Sequence, residues 1–307
     1  MPAKVAVIGS YNRDLLMQLH QMPVVGETLL GKNYQEGHGG KGSNQAVAAA
    51  RQGAEVHFFG CIGQDRYGDE ALALWEQEGI HIRVRRDQNN ATGVAMILVL
   101  DNGDNMIAVG PGANQSLGPE DITMMEESIA EAKVLLLQLE IPVETALHAI
   151  KLAKKYKCKV ILNPAPVQPL PKEIYQHIDL LTPNETEARV LVGEKPDSRI
   201  STEHLCEKLL TLGVKRLVMT QGRLGALYTS GTRIERVPSP KVRALDPTGS
   251  GDAFNGTLAV MVAQGAPIPV AVQRACYAGA FCATKLGVLD GLATADQLDQ
   301  LMDKQPL

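Results

Sequence analysis

Near its carboxy-terminal end the chain carries Asp246-Pro247-Thr248-Gly249-Ser250-Gly251-Asp252, two carboxylates around a glycine-rich turn, followed by an apolar stretch from Ala253 to Val262. The stretch reads as a buried helix. A glycine-rich turn at a helix start leaves backbone N–H groups unpaired at the positive end of the helix dipole. Such a place holds an anion, most often a phosphate. Asp252 would repel a bound phosphate unless it handles a hydroxyl about to receive a phosphoryl group. The run therefore points to phosphoryl transfer onto an alcohol. The same residues also suit an ordinary helix start, since Asp is a common N-cap and Gly-Ser-Gly a common turn. A dinucleotide fingerprint is excluded, because its third glycine would fall at Phe254.

Other constellations are compatible with this chemistry. Gly39-Gly40-Lys41-Gly42-Ser43-Asn44 is not a phosphate loop of the Walker type, because Lys41 is followed by Gly42. Its glycines let backbone approach a ligand, and Lys41 and Asn44 offer donors to a polyol; a loop capping the following helix would look the same. Asn12 and Asp14 follow the first expected strand, and Glu140 ends another, Val134 to Leu139. Amides and carboxylates at strand ends suit the vicinal hydroxyls of a sugar, or else they are solvated loop charges. Asn184 and Glu187 could hold magnesium through water, since Mg²⁺ keeps much of its hydration. Equally, they could cap a helix. The seven histidines show no ligand spacing, and no G-x-S-x-G elbow is present.

The elements that must position these residues are legible. Short apolar runs (Val5–Ile8, Val56–Phe59, Val134–Leu137, Val160–Leu162, Arg216–Met219) alternate with helical patterns such as Ser43 to Gln52 and Val143 to Lys155. Continuous apolar strands separated by helices predict a parallel sheet covered on both faces. Ligands of such sheets sit off the strands' carboxyl ends. Two stretches break the rhythm. Residues 13 to 37 lack a helical period, and Val94 to Val109 reads as a hairpin around Asn102-Gly103. Paired, they would form a small lid sheet inserted in one domain spanning residues 1 to 307, from about 13–37 and 92–110.

Composition narrows the partners. A chain of 307 residues with 45% hydrophobic and 21% charged residues is ordinary for a globular protein, and a net charge of −4 offers no footprint for nucleic acid or anionic membrane. Five scattered cysteines without C-x-x-C spacing fit reduced thiols. No uncharged run is long enough to span a membrane and no leader is visible, so the expected location is the cytoplasm.

Taken together, the chain resembles the ribokinase family of sugar kinases, of the phosphofructokinase-B type, over essentially its whole length. The amino-terminal signature is Gly39 to Asn44 with Ala46, Gly53 and Gly63; the carboxy-terminal one is Asp246 to Asp252 with Gly256. The resemblance implies a Rossmann-like sheet with a β-lid that forms a homodimer interface. It implies Asp252 as base, Gly249, Ser250 and Gly251 as anion hole, and Asn12, Asp14, Gly40, Lys41, Asn44 and Glu140 around the sugar. Asn184, Thr220, Gln221, Gly222 and Gly251 would serve ATP, and Glu187 a water-bound Mg²⁺. Asp246, Thr248, Cys282, Gly287 and Gly291 would surround an activating K⁺. Within the family, Val7 to Asp14, Gly26-Glu27-Thr28, Leu137 to Glu140, Asn163 to Pro166 and Thr182 to Glu187 point to D-ribose as acceptor; deoxyribose, another sugar or a nucleoside are the alternatives, and a sugar-binding regulator without catalysis the remote one. Pro247, Thr257 and the loop Gly287 to Gly291 depart from the usual pattern and bear on the cation site.

Overall fold

The computed structural model describes residues 2–306 apart from Asn102, Gly103 and Thr232. Its centre is a six-stranded sheet in the spatial order Leu180–Leu181, Lys159–Leu162, Val134–Leu137, Lys4–Ile8, Glu55–Phe59, His81–Ile82. All its pairings are parallel. Successive side chains on a strand point to opposite faces, so both faces of an apolar strand must be covered. Val5, Val7, Val56, Phe58, Val134 and Leu136 pack with Ala46–Ala49 of the helix Lys41–Arg51 and with Leu258–Val260 of the helix Ser250–Ala263. On the other face Ala6, Ile8, Leu135 and Leu137 pack with Ala146, Ala149 and Ile150 of the helix Val143–Lys155. Burying each Val or Leu side chain contributes roughly 1.5–3 kcal/mol. The expected architecture is the one observed.

Boundaries differ in instructive places. The expected strand Arg216–Met219 is observed as Val218–Thr220 in a separate three-stranded antiparallel sheet with Ala226–Ser230 and Arg233–Val237. Only the isolated parallel bridges Leu181↔Leu217 and Asn184↔Thr220 link it to the central sheet. The cause is local. Gly225 turns the chain back at φ 99°, and a Cβ there would lie 2.1 Å from the Val237 carbonyl oxygen. The strand leading to Glu140 ends at Leu137, so Glu140 sits in the loop beyond it.

The two irregular stretches pair into a four-stranded sheet ordered Asn33–Gly39, Asn12–Leu19, Gly93–Leu100, Asn105–Gly110. The central pair is parallel, from Asn12↔Gly93 to Leu19↔Leu100, and the outer pairs are antiparallel. The hairpin strands are as expected; its Asn102-Gly103 turn lies outside the described residues. Among those residues no helix is long and apolar enough to cross a membrane.

Candidate active site

The helix Ser250–Ala263 begins directly after Gly249, which is left-handed at φ 79°. A Cβ on Gly249 would come within 2.6 Å of Val288 Cγ1, so the residue must be glycine for both reasons. Ser250 N donates back to Pro247 O at 3.1 Å and Ala253 N to Gly249 O at 2.9 Å. The amides of Gly251 and Asp252 lie between them in the first turn, where no helical carbonyl can reach them. Of the three residues expected to form an anion hole, Ser250 has its amide bonded to Pro247 O, and the Gly251 amide is left in the open first turn.

Asp252 is buried beside this cradle. Its Oδ2 accepts from Asn44 Nδ2 at 2.9 Å and its Oδ1 from Gln45 Nε2 at 2.9 Å. The amino-terminal signature thus orients the carboxy-terminal one. Close packing of the helices Lys41–Arg51 and Ser250–Ala263 makes this possible. A Cβ on Gly256 would stand 2.5 Å from Ala48 Cβ and 2.6 Å from Gln45 O. Behind Asp252 a buried amide chain continues. Gln138 Nε2 donates to Gln45 Oε1 at 2.6 Å, and Gln45 Nε2 also donates to Asn163 Oδ1 at 3.0 Å. Asn163 Nδ2 donates to the Thr182 carbonyl at 3.1 Å, Thr182 Oγ1 to Asn255 Oδ1 at 2.5 Å, and Asn255 Nδ2 to the Gly251 carbonyl at 2.8 Å.

A cavity of about 210 Å³ opens over these groups, lined by Lys41, Asn184, Glu187, Thr220, Gly249, Gly251 and Asp252 among others. It lies off the carboxyl ends of the central strands, the usual ligand position in such sheets. A larger hollow of about 760 Å³ lies elsewhere, between Ile161, Leu180 and the turn Gly265–Pro269. It contains none of the signature residues, and chemistry rather than size identifies the site.

Beside the cavity lie the polyol candidates. Asn12 is buried, and its Oδ1 accepts from Asn114 Nδ2 at 2.9 Å. Burial, with the Glu140 and Asp252 charges nearby, raises Asp14 from 3.8 to about 7. Glu140 Oε2 accepts from Ser10 Oγ at 2.5 Å and from Lys41 N at 3.0 Å. Burial works to lower the Lys41 ammonium, but the charges of Asp252, Glu140, Glu187 and Asp14 outweigh it and hold its pKa above the usual lysine value. Asn44 Oδ1 is buried without a partner, an acceptor left unmet within the site. Gly40, at φ 87°, brings its backbone against Tyr11 and Asn12 more closely than any side chain would allow.

The remaining candidates divide. Asn184 and Glu187 form a reciprocal capping box, with Glu187 N donating to Asn184 Oδ1 at 2.8 Å and Asn184 N to Glu187 Oε2 at 2.9 Å. Both still line the cavity. Glu187 is raised by burial, the Asp252 charge adding to it. Of Thr220, Gln221 and Gly222, only Thr220 lines the cavity. Gln221 is engaged sideways, accepting from Arg236 at 2.8 Å and donating to Glu185 at 3.2 Å. Gly222, at φ 54°, begins the next turn.

The five cation candidates converge on one loop junction. Asp246 accepts from Thr248 N at 2.9 Å and Gly287 N at 3.3 Å, and Cys282 Sγ donates to Thr248 O at 3.4 Å. A Cβ on Gly291 would lie 2.7 Å from Cys282 Sγ. Burial pushes the Cys282 thiol up to about 12, so it is a neutral S–H. Each Asp246 oxygen accepts one backbone N–H, joining the two loops of the junction.

Sequence reasoning passed over Ser10, Gln45, Asn114, Gln138 and Asn255 as functional groups. A usable signal existed for Gln45: it stands in a helix run whose neighbours Ala46–Ala49 are all apolar, and it is wholly buried. A buried amide needs partners.

A helix N-terminus with open amides, a buried aspartate and a polyol-type pocket on a parallel sheet define a phosphotransferase that acts on an alcohol. A model of the pfkB family of carbohydrate kinases matches residues 2–295, and the chain belongs to that family; it is an ATP-dependent carbohydrate kinase. The ribokinase of Bacillus subtilis is 36% identical over 298 residues, covering 97% of this chain and 99% of that one. The deoxyribokinase of Salmonella typhi is 35% identical over 300 residues, covering 97% and 98%. The structure of Arabidopsis thaliana ribokinase complexed with ribose and ATP superposes with a TM-score of 0.89 at 29% identity, covering 98% and 99%.

Proposed function

We propose that this kinase transfers the γ-phosphate of ATP to the 5-hydroxyl of D-ribose, giving D-ribose 5-phosphate and ADP. What supports the reading is Asp252 in the first turn of its helix, held by Asn44 and within reach of the charges of Asp14, Lys41 and Glu140; these groups, with Asn12 and Gly40, would form a polar ring around the sugar. The ring hydroxyls of ribose would meet that ring, and the 5-hydroxyl would face Asp252. An alcohol is too weak an acid for a carboxylate to ionise outright. In a loose phosphoryl-transfer transition state the proton moves late, so positioning and charge stabilisation dominate. The amides of Gly249 and Gly251 would receive the transferring group without reorganisation, whereas the Ser250 amide would first have to leave Pro247 O.

Four carboxylates stand around one ammonium here, an excess of negative charge that the Mg²⁺ accompanying ATP would offset. Glu187, with Asn184, would hold Mg²⁺ through water, and Thr220, Gln221 and Gly222 would follow the nucleotide. Carbonyls near Asp246, Thr248, Cys282, Gly287 and Gly291 would hold an activating K⁺. The four-stranded sheet would act as the lid and as the contact of a homodimer. Five free, buried cysteines favour a reducing cytoplasmic setting.

The second reading is 2-deoxyribose as acceptor, which the Salmonella typhi relative favours. ADP release from MgATP across a panel of sugars and nucleosides, with and without K⁺, tests both. Ribose should show the highest kcat/KM and K⁺ should raise the rate; preference for 2-deoxyribose would replace the first reading by the second. Ribose binding without turnover would make the chain a sensor.

A further inference from the structure

We propose that Glu55, His57 and His81 form a binding site for a divalent transition-metal ion of the zinc type, tying the edge strand of the central sheet to its neighbour. Glu55 and His57 are two residues apart on one strand, so they share a face. His57 and His81 are direct partners across adjacent parallel strands. Their rings stack, with centroids 4.6 Å apart and planes inclined by 26°, so the exposed His81 ring must turn for both nitrogens to face one ion. One ligand atom from each of the three residues falls within 4.8 Å of the others. The spacing along the chain gives no hint of this, because the register of two strands creates it.

The local chemistry suits a metal better than it suits the free side chains. His57 Nε2 is 3.3 Å from Glu55 Oε1, long for a hydrogen bond. It is close to the edge of a tetrahedral coordination sphere, about 3.3 Å for metal–ligand distances near 2.0–2.1 Å. Lys4 bonds to Glu131 at 2.7 Å and reaches Glu55 at 3.3 Å. It can keep Glu131 when Glu55 turns to an ion. His81 is exposed and free to rotate, and water would complete the sphere. Two imidazoles and a carboxylate select zinc-like ions over magnesium. The five cysteines are buried, with thiols pushed up to about 11 or 12, and do not compete.

The site is independent of the kinase chemistry, and its occupancy should clamp the two-residue strand His81–Ile82. An ion bound to the native state alone raises stability by mass action. The test is calorimetric titration of Zn²⁺ into the full, untagged, chelator-treated chain, with Co²⁺ absorption as a second readout. Saturable binding that weakens at least about tenfold in His81→Asn and in His57→Asn, but persists in Asp252→Asn, supports the site. Zinc should also raise the Tm of the wild type more than that of His81→Asn, whose kcat with MgATP stays unchanged. Absence of saturable binding at micromolar zinc, binding indifferent to His81→Asn, or a cobalt spectrum with thiolate charge-transfer bands overturns it. His81 is exposed, so this variant keeps the test decisive even if His57→Asn folds poorly.

Discussion

Asp252 owes its orientation to neutral amides, not to a cation: Asn44 and Gln45 each donate to one of its oxygens. A carboxylate held this way keeps its charge available to an incoming hydroxyl. Asp252→Asn should lower kcat by at least ~100-fold, the usual scale for a general base, while sugar KM changes little. A near-wild-type kcat in steady-state kinetics would remove Asp252 from that role. Asp14 behaves differently. Folding raises its pKa from 3.8 to about 7, so between those values the native state holds more proton than the unfolded one. Stability then falls as pH rises through that window. Asp14→Asn should therefore raise Tm above neutral pH, with the gain shrinking towards acid, as differential scanning calorimetry would record. Because a carboxylate accepts sugar hydroxyls better than a carboxylic acid does, sugar KM should drop as pH rises through about 7, and this dependence should be absent from Asp14→Asn. A flat KM profile in the wild type would count against Asp14 as a sugar ligand.

At the scale of elements, the decisive contact is between the helices Lys41–Arg51 and Ser250–Ala263. Gly256 faces backbone and a methyl group at distances no Cβ tolerates. Gly256→Ala must push the helices apart, which should cost about 1–3 kcal/mol in urea unfolding. The same displacement carries Asn44 and Gln45 away from Asp252. A shift approaching 1 Å at a reacting group can cost about 100-fold, so kcat should fall by about 10- to 100-fold although residue 256 touches no substrate. An unchanged kcat would show that the two signatures can move independently.

For the whole molecule, the four-stranded sheet leaves large apolar side chains in water. Met17, Tyr34, Met96 and Met106 lie on one face; Ile107 and Val109 lie on the other, which carries Asp14. Tyr34, Met17, Leu98 and Met106 form one row across all four strands. Exposed apolar patches of this kind mark interaction surfaces. Sedimentation should find a dimer for the wild type and a monomer for the double variant Met96→Glu, Ile107→Glu, with sugar KM raised. A monomeric wild type at micromolar concentration would dissociate the sheet from assembly.

What the sequence determined by itself was whatever repeats locally: apolar runs of strand length, helical spacing between them, glycine turns at helix starts, and the residue types of Asn12, Asp14, Glu140 and Asp252. Period and turn chemistry are encoded within a few residues, so Val134–Leu137 and Val143–Lys155 are found where they were expected. Only the tertiary structure decided which distant groups meet. Asn44 reaches Asp252 across 208 residues because two helices pack at Gly256, and His57 meets His81 because two strands share a register. It also decided that Asn184 and Glu187 cap a helix while facing the cavity, and that Asp246 ties its own loop, at Thr248, to the distant Gly287. Hydrogen-bond partners are chosen by distance in space, and spacing along the chain carries almost none of that information.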